Sequence, residues 1–398
     1  MLIVEDRRAH EECGGDILDS PQVQANAELF ASAGVRDIDT SSEILCVLQG
    51  EVAAATPGDG PVGLGSDSAT TCHIVALRHP ATGRTCLAHL DDPRGVDEAI
   101  GRMLRLMHVG GREKEGEEPL DLYIVGGYLG KSCSQELSTA LLSALHSSTR
   151  CFRVVLACMA RLNSKSAVPA ASGLVDKDGS AGATHPALPP PPENRDASVK
   201  ARGGNRRDIF EGRTQQDGDG NKGGEGGSGA PTRRADGRAV LSEAERRNQT
   251  APSDTGGAEW LPRKTGLAIE LSSGRAFPVR FEGEGRGPAW EVRSSRIFDG
   301  SREKALTEIY ESRSDSVVVS PFPVYVDPRW LFNMLVLTDR DLLAQTSTSP
   351  EAEDERFVGD IRAQFSFMLA KCGARGQDWL PNVFGPRQGE PLVFPRAA

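Results

Sequence analysis

The sequence predicts an α/β fold of the α+β type, in which mixed β-sheets pack as a sandwich flanked by helices. Two blocks of the 398-residue chain alternate short apolar runs, typical of strands, with segments whose apolar residues recur at helical spacing. Between these blocks, Gly, Pro and charged residues dominate, a composition that cannot bury enough apolar area to offset ordering entropy. We therefore expect one domain in two parts, residues 1–162 and 260–398, separated by a disordered insertion at residues 163–259.

The first part contains most of the predicted strands. Strands are predicted at residues 43–56, 70–79, 84–92, 120–129 and 151–162, and helices at residues 95–109 and 134–148. Ser134 is the predicted N-cap of the second helix, because its hydroxyl can accept from the first free backbone N–H groups.

The second part is predicted to return to the same sandwich. Residues 260–283 contain a hairpin with its turn at residues 272–274, and residues 317–326 form a further strand. Helices are predicted at residues 327–350 and 353–373, with a Ser/Thr/Pro break between them. Residues 388–398 are expected to be a loose tail.

Composition and charge argue against several classes of protein. A formal net charge of -10 argues against a nucleic-acid binder, because phosphates are neutralised by clustered Lys and Arg. No apolar run is long enough to span a bilayer, and the N-terminus lacks the apolar segment of a signal peptide. We therefore expect a soluble intracellular protein without a membrane partner.

The cysteines are consistent with a reducing compartment. The eight residues lie at positions 13, 46, 72, 86, 133, 151, 158 and 372. No C-x-x-C pair occurs among them, so the spacing indicates neither a disulfide framework nor a zinc ribbon.

One stretch, "LGSDSATTCHIVALRHPATGRTCLAHLDD" at residues 64–92, combines a cysteine and a histidine in a predicted hairpin. Cys72 and His89 are 17 residues apart, so strands of near-equal length on either side of Gly83 bring them together. Imidazole can then withdraw the thiol proton, and loop amides of the preceding "GSDSATT" can hold an oxyanion. On patterning alone, a core thiol and a half-buried histidine remain the better interpretation.

Two other sites are weaker candidates. Cys72, His73, Cys86 and His89 are possible zinc ligands, but adjacent residues of a strand point to opposite faces. The segment "VGGYLGKS", residues 125–132, has the strand–helix context of a phosphate-binding loop but the wrong glycine spacing. A Gly-rich turn that allows close strand–helix approach, and that can line a substrate cleft, is the favoured interpretation.

The same stretch resembles the signature segment of the eukaryotic protein N-terminal asparagine amidohydrolases. Weaker similarities follow in the family's order, at "LCVLQGEVA", "LYIVGGYL", "KTGLAIELSSGRAF" and "TSTSPEAEDERFVGDIRAQFSFML". The resemblance therefore covers nearly all of the chain predicted to be ordered and omits residues 163–259.

The resemblance implies deamidation of an N-terminal asparagine to aspartate with release of ammonia, in the N-degron pathway of protein degradation. It places the nucleophile at Cys72. A further likeness to bacterial chemoreceptor glutamine deamidases and deamidating toxins assigns the base to His89 and an orienting role to Ser66. Asp67 matches an aspartate of the family, whereas Ser68 stands where the family has a second one.

The implied partners are proteins or peptides that begin with Asn, bound by a cytoplasmic or nuclear monomer that needs no cofactor. Thr71 is expected to contact the substrate, and Asp67 or Glu51 to bind its α-ammonium group. For both acids, surface solvation is the alternative. Two other functions stay open, namely a glutamine or general protein deamidase with the same Cys–His pair, and a non-catalytic scaffold.

Overall fold

A computed structural model describes residues 2–4, 7–8, 17–40, 43–108, 118–166, 260–299, 305–324, 326–372 and 389–396. No helix within these ranges is long and apolar enough to cross a membrane. The predicted insertion lies outside the described residues, except for its first four positions. Three of these, Ser164–Ser166, form a strand that pairs antiparallel with Trp260–Pro262. The two described segments that flank the insertion are therefore hydrogen-bonded to each other.

The described secondary structure comprises nineteen strands and seven α-helices. The strands are β1 (Leu2–Val4), β2 (Arg7–Arg8), β3 (Arg36–Ile38), β4 (Ile44–Cys46), β5 (Glu51–Ala55), β6 (Gly63–Ser66), β7 (His73–Arg78), β8 (Thr85–Leu90), β9 (Leu120–Gly126), β10 (Phe152–Met159), β11 (Ser164–Ser166), β12 (Trp260–Pro262), β13 (Leu267–Glu270), β14 (Ala276–Phe277), β15 (Val279–Phe281), β16 (Thr307–Glu308), β17 (Tyr310–Glu311), β18 (Ser316–Val319) and β19 (Leu392–Pro395). The helices are α1 (Pro21–Ser32), α2 (Val96–Met107), α3 (Ser132–Ser147), α4 (Trp290–Ser294), α5 (Pro328–Leu335), α6 (Asp339–Thr346) and α7 (Phe357–Lys371).

The strands form two main sheets. The larger has eight strands in the order β16-β5-β8-β7-β9-β10-β1-β2, and the smaller has four in the order β14-β13-β6-β4. The centre of the larger sheet, from β5 to β9, is antiparallel, whereas β9, β10 and β1 are parallel. Strands from both predicted parts pair directly, as in β6 with β13 and β5 with β16.

Side-chain alternation along the central strands divides the core into two layers. In β7, Val75 and Leu77 pack with helices α2 and α3, whereas Ile74 and Ala76 pack with the smaller sheet. Helices α5 and α7 complete this second layer through buried residues such as Phe365. Because successive strand residues point to opposite faces, one hairpin serves both layers. The predicted α/β sandwich of mixed sheets with flanking helices is confirmed.

Several local predictions are wrong for identifiable reasons. Helix α3 begins at Ser132, and Ser134 is not its N-cap but a buried residue whose Oγ accepts from Tyr128 N at 2.9 Å. Residues 327–350 contain two helices, because Thr338 starts a new one by accepting from Asp341 N at 3.2 Å.

The C-terminal strands also differ from the prediction. The strand predicted at residues 317–326 ends at Val319, just before Pro321 and Pro323, which have no N–H to donate to a ladder. The predicted loose tail contains β19, which pairs antiparallel with β18.

Candidate active site

The β7–β8 hairpin places Cys72 and His89 on one face of the larger sheet. His89 lies opposite Ile74, which faces the smaller sheet, and Cys72 is two residues before Ile74. With a side-chain period of two, Cys72 and His89 are therefore diagonal neighbours on this face, for which backbone separations of about 7–8 Å are typical. The structure thus places the predicted pair on the same face, with Cys72 one residue before β7.

Ser66 holds one ring nitrogen of His89. Ser66 ends β6 in the smaller sheet, and its Oγ is hydrogen-bonded to His89 Nδ1 at 2.8 Å. Both side chains are buried. Among the residues that the structure describes, none is hydrogen-bonded to His89 Nε2. The ring is therefore oriented through Nδ1 and leaves Nε2 available on the face that carries Cys72.

Burial keeps the cysteine and the histidine uncharged. It lowers the pKa of His89 to about 4, although the nearby negative charges of Asp91 and Glu51 oppose this. Burial also raises the pKa of the Cys72 thiol, to which Asp91 adds, whereas a hydrogen bond with Thr71 lowers it. The resting pair at neutral pH is a thiol beside a neutral imidazole, so the thiolate must form as the imidazole takes the proton.

The turn between β6 and β7 is fixed by its own backbone. Ser68 has a positive φ of 58°, and Ala69 N donates to Thr265 O at 2.8 Å. Asp67 Oδ2 accepts from Phe281 N at 2.7 Å. Burial raises the pKa of Asp67, although this hydrogen bond and the charge of Arg286 oppose the shift. Asp67 thus ties the turn that carries Cys72 to β15.

Glu51 has a role that its sequence position did not predict. It is fully buried, and its carboxylate accepts from Arg293 Nε at 3.1 Å and from Arg293 Nη2 at 2.6 Å. Leu48 N donates to the same carboxylate at 2.8 Å. With both oxygens engaged, Glu51 is not a free acceptor for a substrate ammonium group. This ion pair instead secures the start of β5, the neighbour of β8.

Two glycines allow the β9–α3 turn to approach the hairpin. Gly126 and Gly127 both have positive φ, of 116° and 63°. A Cβ on Gly126 would overlap the carbonyl oxygen of Cys72, and one on Gly127 would overlap the ring of His73. The Gly-rich "VGGYLGKS" turn is therefore required for close packing against the site.

The four candidate zinc ligands do not converge. His73 faces the opposite layer, where its Nε2 is hydrogen-bonded to Ser138 Oγ at 2.9 Å, and Cys86 packs in the same layer. Cys72 and His89 face the smaller sheet. Across the described ranges, no group of three or more His, Cys, Asp or Glu side chains is arranged to hold a metal ion.

Comparison with known proteins places this chain in a family. The family profile described as protein N-terminal asparagine amidohydrolase matches residues 35–187 and 248–397. This chain belongs to that family. The profile covers both parts of the domain and passes over residues 188–247, so the family match is interrupted within the predicted insertion.

Individual relatives carry the same description. The protein N-terminal asparagine amidohydrolase of Sus scrofa is 31% identical over 371 residues, which cover 92% of this chain and 88% of the relative. The Homo sapiens protein is 33% identical over 168 residues, 41% of this chain and 53% of its own. The Arabidopsis thaliana protein is 22% identical over 401 residues, 96% of this chain and 89% of its own.

Sequence reasoning missed one segment beside the candidate site, Ser347–Glu353, which follows α6. Thr348 Oγ1 lies 3.3 Å from Thr71 Oγ1, beside Cys72. Ser347 Oγ donates to Glu353 Oε1 at 2.6 Å. The Ser-Thr-Ser-Pro run was the available signal, but its sequence position indicates a helix break and not a distant contact with the hairpin.

Proposed function

We propose that this chain deamidates an N-terminal asparagine to aspartate and releases ammonia. Membership of the family supports the reaction, because its relatives carry that activity in their names. The single observation that carries the site assignment is the Ser66–His89 hydrogen bond, which leaves His89 Nε2 unpaired among the described residues on the face of Cys72.

In the first half-reaction, Cys72 acts as nucleophile and His89 as base. Ser66 Oγ accepts from His89 Nδ1–H, so that Nε2 carries the lone pair that removes the thiol proton. The sulfur adds to the side-chain amide carbon of Asn, and turn amides stabilise the oxyanion by roughly 3 kcal/mol per donor. The imidazolium then gives its proton to the amide nitrogen, and the C–N bond breaks to release ammonia and leave a thioester.

The second half-reaction restores the enzyme. Neutral His89 removes a proton from water, which attacks the thioester carbon. The C–S bond breaks, the imidazolium returns the proton to Cys72, and the product is an N-terminal aspartate. No step requires a metal or an organic cofactor. Asp91, whose charge opposes the lowered pKa of His89, favours the imidazolium that forms in both halves.

The remaining assignments follow from the proposed reaction. Thr71 and Asp67 lie in the turn that carries Cys72, and we assign Thr71 to contact with the substrate amide and Asp67 to shaping the cleft. The partners are proteins or peptides that begin with Asn. The product would feed the N-degron pathway of protein degradation, in the cytoplasm and the nucleus, from a monomeric enzyme.

Ammonia release from an Asn-initiated peptide tests this function directly. The acetylated peptide and the C72S variant are the controls. We expect release from the free peptide alone, abolished by C72S. Equal release from the acetylated peptide, or release from Gln-initiated peptides, would instead establish a general deamidase. If the folded protein released no ammonia from any of these peptides, the non-catalytic scaffold would be the remaining function.

A further inference from the structure

Glu353 is a carboxylate near the candidate nucleophile Cys72, and it forms no ion pair within the described residues. Its side chain is half-buried, and Ser347 Oγ fixes one carboxylate oxygen. Its neighbours Glu351 and Asp354 pair with Lys131 at 3.0 Å and with Arg356 at 2.8 Å. Glu353 forms no such ion pair with any residue in the described part of the chain. Burial raises the pKa of its carboxyl, as expected for a charge without a partner.

The position of Glu353 connects it to the reacting thiol. Ser347, which holds it, precedes Thr348, and Thr348 contacts Thr71 beside Cys72. Burial, Asp91 and Cys133 raise the pKa of the Cys72 thiol most, and the negative charge of Glu353 adds a smaller contribution. The carboxylate thus lies within electrostatic reach of Cys72, on the wall formed by the Ser347–Glu353 segment.

The other acids near the site lie in different electrostatic surroundings. Glu51 is neutralised by Arg293, and Asp67 accepts from the backbone of Phe281. Asp91 directly follows the end of β8 and accepts from Gln49 Nε2 at 2.7 Å. Asp67 also lies near the positive charges of Arg286 and Arg356, which lower its pKa. The charges that act on the pKa of Glu353 are the negative ones of Asp354 and Glu351. Glu353 is therefore the carboxylate that gains most from a bound positive group.

We propose that Glu353 binds the α-ammonium group of the substrate and so restricts the enzyme to chain termini. This inference rests on the proposed function. A charge-assisted hydrogen bond to a half-buried carboxylate stabilises a terminal residue. An internal Asn has an acylated nitrogen that carries no charge, and its approach leaves the carboxylate without a partner. The Nε2 of His89 has no hydrogen-bond partner among the described residues although the side chain is only 3% exposed, so a ligand bound here would give it one.

Two peptides that differ only at the α-amine test the assignment. One begins with Asn, and the other begins with a succinamoyl group, which keeps the side-chain amide and lacks the amine. For the wild-type enzyme, we expect kcat/KM to be higher for the Asn peptide by about 10- to 100-fold, the range for a hydrogen bond to a charged group. In E353Q this preference should disappear, because the Asn peptide loses activity and the succinamoyl peptide does not.

E351Q is the matched control, since it changes a carboxylate of the same loop that is already paired with Lys131. It should keep the wild-type preference. If E353Q fails to fold, S347A provides the second variant, because it removes the hydrogen bond that orients the carboxylate. It should reduce the preference in the same direction to a smaller extent.

Binding to C72S, measured by calorimetry, separates failure of this inference from failure of the proposed function. We expect C72S to bind the Asn peptide more tightly than the succinamoyl peptide, and C72S/E353Q to bind both equally. Three results would overturn the role of Glu353: an equal loss of kcat/KM on both peptides, an unchanged preference, or a preference abolished by D91N instead. Absence of ammonia release by the wild type would overturn the proposed function itself.

Discussion

The two faces of the β7–β8 hairpin carry two histidines in nearly mirrored surroundings. His89 is bonded to Ser66 through Nδ1, and His73 is bonded to Ser138 through Nε2. Within the described ranges, the other nitrogen of each ring has no hydrogen-bond partner. Burial lowers the pKa of His89 to about 4 and that of His73 to about 3. Of the two rings, His89 is the one that shares its face with Cys72.

This comparison shows that burial, a serine partner and a lowered pKa do not by themselves define a catalytic histidine. What distinguishes His89 is its register. It lies opposite Ile74, and Cys72, two residues before Ile74, faces the same side of the sheet. A shift of β8 by one residue would have placed His89 on the opposite face, away from the thiol. We therefore assign His73 to packing between the hairpin and α3, and His89 to chemistry.

Replacing each histidine by the amide that keeps its serine contact should separate the two roles most sharply. H89N preserves a group at the Nδ1 position for Ser66 and removes the base, so kcat should fall by about 10²–10⁴-fold. H73Q preserves a group at the Nε2 position for Ser138, and its kcat should remain near that of the wild type. Steady-state ammonia release from an Asn peptide measures both. Equal losses of kcat in the two folded variants would contradict the assignment.

Substitution of the two glycines of the β9–α3 turn should give the next largest effect on kcat. Gly126 packs against Cys72, and Gly127 packs against His73 on the other face of the hairpin. Alanine at either position adds about 1–3 kcal/mol of backbone strain. G126A also pushes against the Cys72 carbonyl, and a displacement near 1 Å costs about 100-fold in rate. G127A pushes against His73 instead, so it should lower the unfolding free energy with a much smaller loss of kcat per folded molecule.

Urea unfolding and active-site titration of the two glycine variants give these quantities separately. The helical variant G101A is the control, since its Cβ would meet the end of a flexible arginine at 3.5 Å. Loss of kcat by G127A as large as that of G126A would remove the distinction between the faces.

The sequence allowed prediction of the site where its contacts are local. Cys72 and His89 are 17 positions apart, and one turn fixes their register, so this part was predictable from Gly83 and two apolar runs. Contacts between distant segments were not predictable in this way. Glu51 meets Arg293 across 242 positions, and Thr71 meets Thr348 across 277.

Non-local pairing also explains the errors in the fold. Strand β19 depends on hydrogen bonds to β18, and its own sequence, rich in Pro and short, is typical of a tail. Ser134 has the residue type of an N-cap, but its hydroxyl is used by Tyr128 N from the preceding turn. In both cases a tertiary partner decides between conformations that the local sequence permits.

The two serines should show a smaller version of the same asymmetry. S66A frees the imidazole of His89 to rotate, and loss of one orienting hydrogen bond predicts a fall in kcat of about tenfold. S138A removes the partner of His73 and should leave kcat unchanged. Each variant should lose about 1 kcal/mol of unfolding free energy. A kcat for S66A equal to that of S138A would show that Ser66 does not orient the base.

The smallest expected effect is the pH dependence of stability, which both histidines share. Each is neutral in the folded protein with a pKa below 6.5, so its contribution is complete above about pH 6.5 and is lost as pH falls toward the folded value. Between pH 7.5 and 6, each should contribute a loss of roughly 1 kcal/mol.

Other groups also titrate in this range. The informative quantity is therefore the difference between wild type and H73Q in the unfolding free energy lost from pH 7.5 to pH 6. Urea unfolding at the two pH values should give H73Q a pH-dependent loss smaller by the contribution of one histidine. H79Q, which changes the half-exposed histidine of the hairpin turn, is the control and should follow the wild type. If H73Q lost as much stability as the wild type, His73 would be protonated as readily in the fold as in the unfolded chain. The two histidines would then differ in how burial affects their pKa, and the similarity of their surroundings described above would not hold.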